Sequence, residues 1–277
     1  MFSFCCRIAV LRRLQRGRIG LLEEATQNTL CKCAEPELWF RLAKATLQRN
    51  GLDGAFQRAI YKALAEGRKK QTNVFLVGPT NAAKSFLVKP LKELYRVYEA
   101  PDSGSHQLET ILRKEVILLN EFEWKASWMD WPYFKRFLEG GSVSVARPKN
   151  RGGNVDFELD SPVIGTTGHP IQLWMTQGRQ TILNVYETAQ MDSRILYLQM
   201  PVGVRPEDVV ECEACARCEA ELYMEGRPAL VPALVPAAVP VAEAAALAHA
   251  APPLAALADP EAGERPRSRS PRRNPPL

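Results

Sequence analysis

Residues 73–85 read Asn-Val-Phe-Leu-Val-Gly-Pro-Thr-Asn-Ala-Ala-Lys-Ser, a short apolar run followed by a glycine-led loop that ends in Lys84-Ser85. The run Asn73–Val77 is bounded by Gly78-Pro79 and predicts a parallel strand buried on both faces. The loop, formed by Gly78, Pro79, Thr80, Asn81, Ala82, Ala83, Lys84 and Ser85, follows the pattern G-x-x-x-x-G-K-[ST] with one departure, Ala83 in place of the second glycine. Such a loop aims backbone N–H groups at phosphates, reaches the β and γ phosphates with its lysine and coordinates Mg²⁺ with its hydroxyl. Lys84 and Ser85 supply the last two groups, so ATP and Mg²⁺ are the expected ligands. If position 83 requires a positive φ, the Ala83 Cβ costs about 1–2 kcal/mol, which weakens nucleotide binding without abolishing it. The plain alternative is an ordinary strand-turn-helix.

Working outward, Pro36–Asn50 carries Leu38, Leu42 and Ala45, with Phe40 and Leu47, at helical spacing and stops at Asn50-Gly51. A second helix, roughly Asp53 to Glu66, places Phe56, Ile60, Ala63 and Leu64 on one face and stops at Gly67. Downstream, Val116–Leu119 predicts a second strand, followed by Asn120-Glu121-Phe122-Glu123-Trp124. An apolar strand ending in acids is where a phosphate-loop ATPase places its Mg²⁺-organising and water-activating carboxylates. Here Asn120 is a neutral ligand and Glu121 the carboxylate at the strand end. Glu121 is expected to act on water, on Mg²⁺ through a shell water, or on both, with Glu123 as the substitute; isolated acids at strand ends are otherwise simply solvated. Ser142 to Leu159 reads as a β-hairpin, with Val143 and Val145 alternating on one arm and Val155, Phe157 and Leu159 on the other. Its tip carries Arg147, Lys149 and Arg151 with no acid between them, which by itself is a solvated basic turn.

The net charge of +5 on 277 residues is unevenly distributed. Five arginines in residues 1–22 and five in 265–277, with no acid in either stretch, leave 26 basic against 31 acidic residues between them, a net of −5. The middle is therefore not a uniformly basic nucleic-acid-coating domain. A hydrophobic content of 46% excludes disorder throughout. The longest apolar-looking stretch, 241–258, is broken by Glu243, His249, Pro252 and Pro253, so no membrane span is expected.

Five blocks stand in order along the ordered part: GRKKQTNVFLVGPTNAAKS, VILLNEFEW, FKRFLEGGSVSVARPKN, SPVIGTTGHPI and MDSRILYLQM. Together, from about Gly67 to Leu198, they resemble superfamily 3 helicases, the hexameric AAA+ type found in the large non-structural protein of parvoviruses and in replication proteins of other small DNA viruses. The resemblance implies an α/β, P-loop NTPase fold of the AAA+ type, a three-layer sandwich with a parallel central sheet and a β-hairpin insertion. It implies ATP-dependent translocation on single-stranded DNA by a homo-hexamer, with the hairpin tip, Lys149 above all, holding the phosphate backbone. Six tips of charge +3 would present about +18 to the strand. Arg194 matches the family's arginine finger, which neutralises charge on a neighbouring subunit's nucleotide; the plain reading is a surface arginine before a strand. Where the family ends its third strand in a polar sensor, usually Asn, this chain has Gly168 after Thr166 and Thr167, and Thr167 is the substitute donor. Ala83, Asn120 and Gly168 thus depart from the family, and the alternative function is a catalytically weak or inactive nucleotide- or nucleic-acid-binding assembly module. The His-hydrophobic-His pair of a strand-nicking domain is missing: His106, His169 and His249 stand far apart, so nicking is not expected.

Cys212, Cys215 and Cys218 stand at C-x2-C-x2-C, a spacing that folds around Zn²⁺ or an iron-sulfur cluster. A fourth ligand is missing nearby, and Cys31-Lys32-Cys33 or His249 completes a site only by long-range folding, so a loose cysteine cluster is expected ahead of zinc. The organisation predicted is a basic segment, 1–34, targeting or disordered; a helical lead-in, 35–70; the ATPase domain, 71–200; a cysteine segment, 201–226; and a disordered Ala/Pro and Arg/Ser tail, 227–277. The closing Arg/Ser/Pro run suits phosphorylation and a nuclear location, and the opening arginines resemble an organelle-import segment.

Overall fold

A computed structural model of the chain describes residues 2–100, 108–145, 155–177, 180–205, 209 and 212–229. Asn73–Val77 is strand β1, and its five residues are all buried. It lies inside a five-stranded parallel sheet with β2 (Val97–Glu99), β3 (Val116–Leu119), β6 (Val163–Thr167) and β9 (Ile195–Gln199), in the order β2-β3-β6-β1-β9. These strands carry near-continuous apolar runs because both faces of the sheet are covered. Val74 and Leu76 point into a cluster with the helices on one side, while Phe75 points into a second cluster on the other.

The first covering layer consists of α1 (Phe2–Asn28), α2 (Leu38–Arg49), α3 (Ala55–Glu66), α4 (Lys84–Val88), α5 (Leu91–Leu94) and α8 (Ala216–Met224). The second is built on α6 (Trp131–Glu139) and α7 (Val185–Asp192), with the hairpin of β4 (Ser142–Val145) and β5 (Val155–Glu158). The chain is thus α/β with a parallel central sheet between helical layers. A second two-stranded hairpin, β7 (Trp174–Gln177) and β8 (Gln180–Leu183), was not legible in the sequence because its residues are mostly exposed.

One helix face differs from its expected spacing. The buried stripe of α2 is Trp39, Ala43 and Leu47, and Ala45 is exposed, because Trp39 packs its ring 5.4 Å from Phe86 beside the glycine-led loop. α3 buries Phe56, Ile60, Ala63 and Leu64 as expected and ends at Gly67, whose φ of 74° favours glycine.

The basic N-terminal segment forms α1, broken at Gly17, and it buries Leu21, Leu22 and Ala25 in the core. Arg13 donates two hydrogen bonds to the Glu115 carboxylate, at 2.7 and 2.8 Å, beside the sheet edge. Similarly, the cysteine segment is not an appendage: α8 buries Cys218, Ala220, Leu222 and Tyr223. The Ala/Pro and Arg/Ser tail from 230 onward lies outside the described residues. No helix among the described residues is long and apolar enough to cross a membrane.

Candidate functional site

The loops leaving the carboxyl ends of β1, β3 and β6 line a cleft of about 880 Å³. Gly78 opens the first of them, and its N–H donates to Thr167 O at 3.2 Å. A Cβ at Gly78 would stand 2.1 Å from Met200 O, so only glycine fits where the end of β9 passes. The loop then turns through Asn81 and Ala83, both left-handed at φ 63° and 59°. Position 83 does require a positive φ, and the alanine there carries the steric cost that a glycine avoids.

Lys84, the first residue of α4, is buried and donates from Nζ to Gly78 O and Pro79 O, each at 2.7 Å. Burial lowers the pKa of its ammonium, and the Glu121 carboxylate across the cleft partly offsets this. An ammonium has three donors, so one remains after these two bonds. Ser85 Oγ donates to Asn120 Oδ1 at 2.7 Å, which joins the phosphate-loop-like turn to the end of β3.

A threonine supports both acid-strand residues. Thr166 Oγ1 donates to Asn120 Oδ1 at 3.0 Å and accepts from Glu121 N at 2.7 Å, while Thr166 O accepts from Phe122 N at 2.7 Å. Glu121 itself adopts φ 49° and is exposed in the cleft. Sequence reasoning assigned Thr166 no role; its signal was only a polar residue in an apolar strand next to the one expected to act. Thr167 Oγ1, the expected substitute donor, gives its hydrogen to His169 O at 2.8 Å. A Cβ at Gly168 would meet nothing within 4 Å.

The oxygens gathered here, the Ser85 hydroxyl, the Asn120 amide and the Glu121 carboxylate, form a hard donor set that suits Mg²⁺. The Lys84 ammonium and the loop's N–H groups suit phosphate oxygens. Gly78, Thr80, Asn81, Ala82, Ala83, Lys84, Ser85, Glu121 and Thr167 all border the cleft. Pro79 contributes one of the two carbonyls that Lys84 holds.

Arg194 is not at this cleft. It immediately precedes β9, whose first residue pairs with Asn73 at the amino end of β1, so it stands at the opposite end of the sheet from the loop. Its guanidinium, 12% exposed, donates to Glu139 Oε1 and Gln190 O. Glu139 also pairs with Lys70 at 3.1 Å. Asn73 ties the same corner together by donating to Leu138 O and Arg194 O at 2.7 and 2.9 Å.

Beside it rises the expected hairpin, with Val143 opposite Phe157 and Val145 opposite Val155. Its two roots are held by one buried side chain: Arg68 donates to Gly141 O and Leu159 O at 2.9 and 2.8 Å and lies 4.5 Å from the Phe137 ring centroid. Burial lowers the Arg68 pKa to about 10. The tip residues Arg147, Lys149 and Arg151 lie outside the described residues.

The cysteines assemble differently from the C-x2-C-x2-C reading. Cys215 and Cys218 meet Cys31 and Cys33, the four Sγ atoms all within 4.8 Å of one another, and Cys212 stands outside the group. The long-range partner is the Cys31-Lys32-Cys33 turn after α1; His249 lies outside the described residues.

No family model and no curated protein matches the chain. Among solved structures it is similar to one titled "The A form apo structure of NrS-1 C terminal region-CTR", at 12% identity and TM-score 0.41 over 66% of this chain and 46% of that one. It is also similar to one titled "The A form apo structure of NrS-1 C terminal region-CTR(305-718)", at 11% identity and TM-score 0.38 over 66% of this chain and 42% of that one. The chain thus spans less than half the length of either structure.

Proposed function

We propose that this chain is a phosphate-loop ATPase module of the superfamily 3 helicase kind, binding ATP and Mg²⁺ in the cleft and coupling hydrolysis to movement along single-stranded DNA as a hexamer. The observation that carries the reading is the bonded chain Ser85–Asn120–Thr166 beside Lys84. It brings the hydroxyl and lysine of the loop, the polar end of β3 and the polar end of β6 to one point at the carboxyl ends of three adjacent strands, where open α/β sheets hold ligands.

In this reading Lys84 exchanges its carbonyl bonds for the β and γ phosphates. Ser85 would hold Mg²⁺, with Asn120 accepting from its hydroxyl, and Glu121 would act on the attacking water, on Mg²⁺ through a shell water, or on both. Arg194 serves a neighbouring copy's cleft, since it stands at the far end of its own sheet. The hairpin, rooted by Arg68, carries Arg147, Lys149 and Arg151 to the DNA.

A second reading has its own support. The alanine strained at position 83, the neutral Asn120, the sensorless Gly168 and the committed Thr167 hydroxyl all remove catalytic power while leaving a phosphate cradle. In that case the chain is a nucleotide-binding assembly module.

One paired experiment separates the two. ATP turnover with and without single-stranded DNA, and nucleotide binding by calorimetry, are measured for the full chain and for Lys84→Ala, with oligomer size recorded in parallel. The first reading expects DNA-stimulated turnover that vanishes with Lys84→Ala. Turnover no higher than the variant's, with binding retained, selects the second; loss of both overturns the nucleotide site altogether.

A further inference from the structure

We propose that Cys31, Cys33, Cys215 and Cys218 form one structural Zn²⁺ site that clamps the turn between α1 and α2 to the start of α8. Cys31 and Cys33 each place Sγ 3.6 Å from Cys218 Sγ, and Cys215 Sγ lies 3.9 Å from Cys31 Sγ. With Zn–S bonds of about 2.3 Å, the sulfurs of a tetrahedral site stand about 3.8 Å apart. A disulfide requires about 2.05 Å, and all four thiols are free.

The separations also fit one ion better than a cluster. An iron-sulfur centre interposes several iron atoms and sulfides between its cysteines and spreads them wider. Soft thiolates select zinc over the hard Mg²⁺ expected in the cleft.

Local chain geometry supports the same point. The ligands arrive as two short-spaced pairs, C-x-C and C-x2-C, and the second pair opens α8, with Cys215 as its N-cap residue. Cys215 and Cys218 are buried, while Cys31 and Cys33 are half-buried, so the site is enclosed as structural zinc sites are. Four thiolates around Zn²⁺ carry a net charge of −2, and each pair encloses a cation, Lys32 in one and Arg217 in the other. Of the cysteines whose side chains are described, Cys212 is the one left out.

The clamp acts on the rest of the molecule through α8. Fully buried Tyr223 donates from its hydroxyl to Leu87 O at 2.9 Å, in the helix that begins with Lys84-Ser85. Gly226, just past α8, lies so close to α3 that a Cβ would stand 2.0 Å from Gln57 O. Zinc would therefore set the helix that supports the phosphate-loop-like turn from behind, and the proposal holds whether or not that turn hydrolyses ATP.

The test is elemental analysis of the full chain, purified without chelator or nickel resin and kept reduced. The expected result is about one zinc per chain, lost in Cys33→Ser and Cys218→Ser and retained in Cys212→Ser. Should the ligand variants fail to fold, the wild-type protein still decides. Stepwise mercurial titration should release the zinc as four thiols react, and Co²⁺ substitution should give the intense visible bands of a tetrahedral thiolate site. Metal-free protein that is folded, iron in place of zinc, or loss of zinc in Cys212→Ser would each overturn the assignment.

Discussion

Ala83 is the residue at which local conformation and chemistry conflict most directly. Its φ of 59° places a Cβ where a glycine would have none. The strain is about 1–2 kcal/mol, and replacing the alanine returns it, but a glycine loses about 0.5–1 kcal/mol more chain entropy on folding. Ala83→Gly is therefore expected to be neutral to stabilising by about 1.5 kcal/mol, raising the thermal midpoint by no more than about 6 °C. It should also tighten nucleotide binding. A clear fall in the midpoint by calorimetry would show that the alanine methyl packs usefully and that position 83 is not strained. Ser85, Asn120 and Thr166 belong to the same scale, because their three side chains share one amide oxygen. The sequence named the first two and offered no means of finding the third, since a threonine inside an apolar strand also fits a strand with no site.

At the scale of elements, α1 is the part whose attachment depends most on charge. Arg13 and Arg96 both bond the Glu115 carboxylate, whose side chain is 12% exposed. Burial alone would raise the Glu115 pKa, but the bonds from Arg13 and from the Arg96 backbone N–H outweigh it and hold the carboxyl below its ordinary value of 4.5. The folded pKa thus lies below the unfolded one, so the unfolded state binds more protons in acid. The stabilisation is fully present above about pH 4.5 and is lost as pH falls through the folded value. Glu115→Gln should lose about 2 kcal/mol at neutral pH and flatten the acid limb of the stability curve. The measurement is urea unfolding at several pH values, and an unchanged acid limb would show that this pair does not hold α1. The helix itself was not recognised as part of the core, because five arginines without acid read as a targeting or disordered stretch. Leu21, Leu22 and Ala25 lie past the break at Gly17, and only their partners in α3 and α8 give them a place to be buried.

For the whole molecule, the decisive geometry is the distance between the two ends of the sheet. Lys84 lies at the carboxyl end of β1 and Arg194 at the amino end of β9, held by Glu139. If Arg194 acts in a neighbouring copy's cleft, Lys84→Ala and Arg194→Ala subunits are each inactive alone but complementary when mixed. An equimolar mixture then builds about a quarter of its interfaces with an intact loop on one side and an intact arginine on the other. ATPase activity should return to a corresponding fraction. A mixture as inactive as its components, although assembled, would return Arg194 to a purely structural role between Glu139 and Gln190.

The sequence by itself determined the buried strands β1 and β3 and the glycine-led turn that borders the cleft. Doubly buried strands need continuous apolar runs, and a glycine-led turn into a helix is written in consecutive residues. The hairpin's arms were legible for the same reason, as period-two alternation. Only the tertiary structure decided which cysteines meet, that α1 and α8 belong to the core, that Thr166 orients the polar end of β3, and that Arg194 turns away from its own cleft. Each of these joins residues far apart along the chain, such as Thr166 and Asn120, 46 positions apart, and Cys31 and Cys218, 187 apart. Local spacing carries no information about such pairs; they exist only once the sheet order and the helical layers have brought the segments together.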